Sequence, residues 1–275
     1  MSNPMNRIRG SVTLTQRSVT LMQNSVTLMP KALLLMVFAA ACLTAPAQNE
    51  SGLIGGVEAE KKLSKRWSAG IEADFRTRNN FKTMDRWSVG IGATYKLSKY
   101  LKADAGYQLL DYNNREKISY TSQGGYNRWR PSYWGVKHRV HAGVTGSYKF
   151  GSGVKLSLRE RWQYTYRPEQ TVQTWDFDDE QWEDRIRSGK GKSQLRSRFE
   201  ISLDKKRALF SPYANIELYN SWGIEKIRYS VGTDIRLSKH HSLGVFYRFQ
   251  NMKNVDEGEY DPDMHYIGFG YKLKL

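Results

Sequence analysis

Arg159, Arg161, Arg196 and Arg198 come in pairs two residues apart, the spacing that puts successive side chains on one face of a β-strand. A guanidinium fork grips carboxylate or phosphate through two parallel hydrogen bonds, so a wall of such forks is anion chemistry. More charge shares that face. Glu58, Glu60, Glu72, Asp74, Arg76, Arg78, Lys102 and Asp104 occupy it early in the chain, and Arg139, His141, Glu200, Glu217, Arg228, Asp234, Arg236 and Arg248 later. Two uses follow. The charges neutralise one another, as buried charges must, or the arginines line a water-filled path selective for anions. A narrow bore favours mutual pairing.

Other chemistry is sparse. A lipid hydrolase would need a serine and a histidine with a polar orienter, and His265 with Ser51 and Asn251 is the one grouping the strands bring near each other. His138, His141, His240 and His241 have no such company. Asp176, Asp178, Asp179, Glu180, Glu183 and Asp184 form an acidic run. It lacks the spacing of a calcium loop and reads as a solvated external loop, which Trp175, Phe177 and Trp182 pack onto the rim. No phosphate-cradling glycine loop or metal motif is present, so no cofactor is expected.

Strands must position these residues. In 265–275, Ile267, Phe269, Tyr271, Leu273 and Leu275 share one parity, opposite Tyr266, Gly268, Gly270, Lys272 and Lys274. One greasy face and one wet face repeat over 53–63, 67–78, 86–97, 101–112, 136–150, 154–167, 194–204, 209–220, 226–237, 242–251 and 265–275. The lengths suit tilted strands crossing hydrocarbon. The pattern predicts an all-β fold, a single antiparallel transmembrane β-barrel with short periplasmic turns and longer external loops. Bacterial barrels normally have an even strand number, so twelve strands are expected, with ten as the fallback and a missing strand sought in 113–135 or 168–193. Glu160 falls on the lipid-facing parity, where a charge is costly; a β-bulge near 159–161 would turn it away.

The 275 residues carry a net charge of +16. The basic residues are spread over many strands without a nucleic-acid motif, which points to an anionic membrane surface or an anionic solute. A mean hydropathy of -0.66 is compatible with a barrel, because only alternate residues face lipid. Residues 11–31 hold the units SVTLTQR, SVTLMQN and SVTLMPK, and residues 1–28 read as an extension ahead of a start at Met29. Residues 29–47 read as a signal peptide: Lys31, an apolar Ala32 to Leu43, and Ala45-Pro46-Ala47 before cleavage. The sole cysteine, Cys42, falls within it. Residues 48–275 are then an exported barrel in the bacterial outer membrane, with its lipid and lipopolysaccharide as partners.

The segments RERWQYTYRPE (159–169), ELYNSW (217–222) and DRWSVGIGATYKL (85–97) resemble those of domain of unknown function 2490, a set of Gram-negative outer-membrane β-barrels. The resemblance spans roughly 50–275. It implies architecture and location and brings no catalytic residues. The leading expectation is a narrow pore or a structural or binding barrel with a charged lumen, Arg159, Arg161, Arg196 and Arg198 marking an anion pathway. The alternative is a membrane-embedded lipid or lipopolysaccharide hydrolase.

Overall fold

A computed structural model describes residues 49–205, 208–253 and 261–275. The expected extension (1–28) and signal peptide (29–47) lie outside the described residues. Fifteen strands follow in chain order: β1 Glu50–Lys62, β2 Trp67–Arg78, β3 Thr83–Lys96, β4 Leu101–Asn114, β5 Lys117–Tyr120, β6 Tyr126–Arg130, β7 Tyr133–Lys149, β8 Val154–Arg167, β9 Gln170–Asp176, β10 Gln181–Arg187, β11 Lys190–Leu203, β12 Phe210–Asn220, β13 Ile224–Arg236, β14 His241–Met252 and β15 Met264–Lys274. Eleven close a barrel in the order β1-β15-β14-β13-β12-β11-β8-β7-β4-β3-β2.

The expected twelve, or ten, strands are therefore corrected to eleven. An odd number makes the first and last strands run the same way, and the barrel closes through one parallel seam. β1 and β15 pair from Glu50↔Met264 to Glu60↔Lys274, and every other junction in the barrel is antiparallel. The segments 113–135 and 168–193 do hold strands. β5, β6, β9 and β10 build a separate four-stranded sheet in the order β10-β9-β6-β5, called the rim sheet below.

One end of the barrel carries tight turns with a recurring chemistry. Residues 63–66, 97–100 and 237–240 all begin Leu-Ser-Lys. In each, the serine hydroxyl accepts the backbone N–H that opens the next strand: Ser64 from Trp67 (3.0 Å), Ser98 from Leu101 (3.1 Å) and Ser238 from His241 (3.1 Å). A side chain that satisfies an otherwise orphaned donor fixes the turn. The opposite end carries the rim sheet and the connections at 79–82 and 221–223.

The faces are inverted relative to a soluble protein. Ile71 (61 % exposed) and Ile91 (63 %) stand on the outer wall, while Glu217 (5 %) and Arg228 (7 %) are buried inside. Such a girdle belongs in lipid. The apolar buried cluster of the lumen is small: Ile54, Met264 and Tyr266, with Phe246 packed against them.

Glu160 sits in regular pairing with Val144 on β7 and Ser197 on β11. The expected bulge near 159–161 is absent. The carboxylate instead faces outward and accepts a hydrogen bond from the Ser197 hydroxyl (2.6 Å), which offsets part of its desolvation.

Candidate functional site

The lumen divides into a packed waist and a vestibule at the loop end. The waist is a set of carboxylates shared among cations. Glu217 Oε1 accepts from Arg159 and Arg196 (2.9 Å each), and Arg228 lies 3.8 Å from Oε2. Asp104 holds Arg161 at 2.8 Å and has His141 at 3.7 Å. Asp74 holds Arg86 at 3.2 Å and Arg76 at 3.6 Å. Gln163 and Gln194 bridge β8 and β11 at 2.8 Å. Side chains that faced an open channel would be wetted; Ser88, Glu217 and Ser230 point inward and are buried, so protein fills the bore around them.

All four sequence-predicted arginines sit in or beside this waist, each with a carboxylate. Arg198 meets Glu200 at 3.8 Å, completing the pairings already given for Arg159, Arg161 and Arg196. The structure brings Arg159 and Arg196 together on Glu217 and leaves Arg161 on Asp104.

The vestibule is a cavity of about 790 Å³. Fourteen of its thirty lining residues are Lys or Arg and four are Asp or Glu, against 43 and 27 in the whole chain. Cation enrichment at one mouth therefore far exceeds the overall basic bias. Two inward tyrosines organise the floor. Tyr112 on β4 receives hydrogen bonds from Arg86 (2.7 Å) and Arg139 (3.4 Å), with Lys137 4.1 Å above its ring. Tyr219 on β12 receives one from Arg228 and donates to Glu217 (2.8 Å), while Lys226 (4.3 Å) and Arg196 (4.7 Å) stack on its ring. In both clusters a neighbouring strand supplies an arginine to the hydroxyl, and the strands on either side supply ring cations. Ring faces attract cations and partly replace lost hydration.

Cation–π contacts supply no counter-charge. Among the described residues, no carboxylate lies within ion-pair distance of Lys137, Arg139, Lys226 or Arg248. The Nε–H groups of Arg76, Arg86, Arg159, Arg161 and Arg196 are buried with no acceptor. Donors and positive charge outnumber acceptors, a balance that an anion would redress.

The rim sheet borders the vestibule through Lys117, Arg130 and Arg187. Val172, Thr174 and Asp176 share its covered face, each below 8 % exposed. Trp129, Trp175 and Trp182 pack on the other, with ring centroids 5.7 and 5.5 Å apart. Trp175 and Trp182 thus stack on each other on the more exposed face of a sheet rather than packing a loop onto the rim. Burial raises the Asp176 carboxyl, but the backbone N–H of Asp178 and the Arg128 guanidinium outweigh it and hold the group below the usual carboxylate range. Asp176, Asp179 and Glu183 bring oxygens within 4.8 Å of one another, and Arg128 and Arg185 already compensate Asp176.

The hydrolase grouping does not assemble. His265 uses one ring nitrogen toward Asn49 (3.0 Å) and the other toward Tyr247 (2.6 Å), and Asn251 bonds Asp263 (2.8 Å). Ser51 faces His265 only as its strand partner in the seam. Sequence reasoning missed Tyr112, Tyr219 and Lys226. Their signal was the inward parity they share with Arg139 and Arg228.

Among solved structures, the chain is similar to the beta domain of the Bordetella autotransporter BrkA, at 13 % identity over 67 % of this chain and 76 % of that one (TM-score 0.46). It is also similar to the translocator domain of autotransporter NalP from Neisseria meningitidis, at 11 % identity over 70 % and 71 % (TM-score 0.44). The CymD monoaromatic hydrocarbon channel shows 9 % identity over 70 % and 66 % (TM-score 0.37). No curated protein matches the sequence. A closed barrel with an apolar outer wall and a charged interior is the architecture of a transmembrane β-barrel. Residues 55–261 match the family described as Protein of unknown function (DUF2490), and the chain belongs to that family.

Proposed function

We propose that this chain is an exported outer-membrane barrel whose loop end is external and whose vestibule receives small anionic solutes above a packed waist. The observation that carries this reading is the charge balance of the vestibule, fourteen cationic against four anionic lining residues. In a cleft with low-dielectric walls, such a balance concentrates anions and strengthens their binding. The waist supports a binding barrel over a freely conducting pore. Any anion moving on to the turn end must pass Arg159, Arg161, Arg196 and Arg198, displacing the carboxylates they hold. Those four residues therefore form the anion pathway of this proposal, gated by ion-pair exchange.

Planar-bilayer recording of the refolded chain 48–275 under a salt gradient tests the reading. Silence, or small anion-selective steps, is expected. Large steps with cation selectivity would overturn it. The hydrolase alternative is not carried forward, since both ring nitrogens of His265 are engaged by Asn49 and Tyr247.

A further inference from the structure

We infer that the rim sheet adds a second anion station to the vestibule, so that the ligand is a linear anion bearing several phosphate-type groups. This rests on the anion-receiving reading of the vestibule and goes beyond it by naming the ligand class.

Three observations converge. A second cavity of about 230 Å³ lies on the covered face of the rim sheet; five of its nine lining residues are Lys or Arg and none is acidic. Lys117, Arg130 and Arg187 line both this cavity and the vestibule, so the two spaces meet along one row of cations. At that junction Tyr133 lies between Arg130 (5.5 Å to the ring) and Arg187 (5.8 Å), repeating the tyrosine-and-cation arrangement of the floor. The path from floor to rim thus has cations at its bottom, middle and top. A single small anion fills one station. A chain of linked anionic groups fills several, and once one end is bound the next group binds at high effective concentration. Arginine forks at each level suit tetrahedral, multiply charged oxyanions.

The test titrates the folded barrel with orthophosphate, pyrophosphate and tripolyphosphate at fixed ionic strength. Affinity should rise at least about tenfold from the first to the last. Arg185→Gln, which removes a cation of the rim cavity, should abolish most of that rise and leave orthophosphate affinity within about twofold. Arg185 also pairs with Glu183 and Asp176, so Ser119→Asp, which places a carboxylate on the rim cavity, breaks no described ion pair and touches no vestibule residue, is run beside it and should act the same way. The floor variant Lys226→Gln should weaken all three ligands. Folding of each variant is checked by heat-modifiable gel mobility. Equal affinity for all three phosphates, or a length dependence untouched by both rim variants, overturns the second station and leaves the vestibule reading intact. No binding of any phosphate overturns both.

Discussion

Replacing Glu217 by Gln should weaken the fold and tighten anion binding together. The side chain is 5 % exposed and serves three cations: Arg159 and Arg196 at 2.9 Å and Arg228 at 3.8 Å. The substitution keeps shape and some hydrogen bonding but removes the carboxylate those guanidiniums share. Breaking a buried pair by removing one partner costs about 3–5 kcal/mol, or roughly two to four powers of ten in the folded-to-unfolded ratio. The same deletion strips one negative charge from beneath the vestibule. At an effective dielectric constant of about 20 and a separation of roughly 8 Å, that is worth about 2 kcal/mol, or roughly thirtyfold, to a monovalent anion. The assay is urea unfolding in lipid vesicles followed by tryptophan emission, paired with a pyrophosphate titration of the folded form. A stability loss under about 1 kcal/mol would refute the waist as a charge-sharing plug. Weakened pyrophosphate binding would refute the electrostatic account of the vestibule.

Three further outcomes follow from other parts of the barrel. A Cβ on Gly268 would overlap the Phe246 ring, so Gly268→Val should cost about 1–3 kcal/mol, and Phe246→Leu should restore most of it in the same unfolding assay; no rescue would reject that packing. Val57 and Tyr271 are direct partners across the parallel seam, so Val57→Cys with Tyr271→Cys should form a disulfide under copper–phenanthroline, seen as a gel shift. Val57→Cys with Ile267→Cys should not, and the reverse pattern would mean that the seam is misassigned. Asp176 has its folded pKa lowered, so its contribution is fully present above about pH 4 and is lost as pH falls through the lowered value. Near-ultraviolet circular dichroism from Trp129, Trp175 and Trp182 should hold between about pH 8 and 5 and change only below about pH 4; a transition near neutrality would contradict this.

The division into inner and outer faces was legible because strand alternation is local: a residue's parity alone sends Ile91 to lipid and Arg228 inward. The same alternation marked eleven segments, and these are the eleven barrel strands. What misled was the even-number rule, because closure depends on β1 meeting β15 in parallel and no local sequence signal marks a parallel partner more than 200 residues away. The rim strands were hidden for a different reason. β9 and β10 alternate charge with tryptophan, as in Thr174-Trp175-Asp176 against Gln181-Trp182-Glu183, and such dense charge reads as a solvated loop until the covered face is known. Glu160 was misjudged because its partner, Ser197, lies on another strand and depends on register. Arg159, Arg161, Arg196 and Arg198 were found from spacing. The tyrosines between the cations were not, since an inward Tyr112 or Tyr219 resembles the interfacial aromatics of the girdle.

The most direct test of the central claim locates the anions themselves. Crystals of the folded barrel soaked in tungstate, a phosphate-shaped anomalous scatterer, should give their strongest peaks in the vestibule between the Tyr112 and Tyr219 clusters. Peaks confined to the outer surface, with that basin empty at saturating tungstate, would contradict the account.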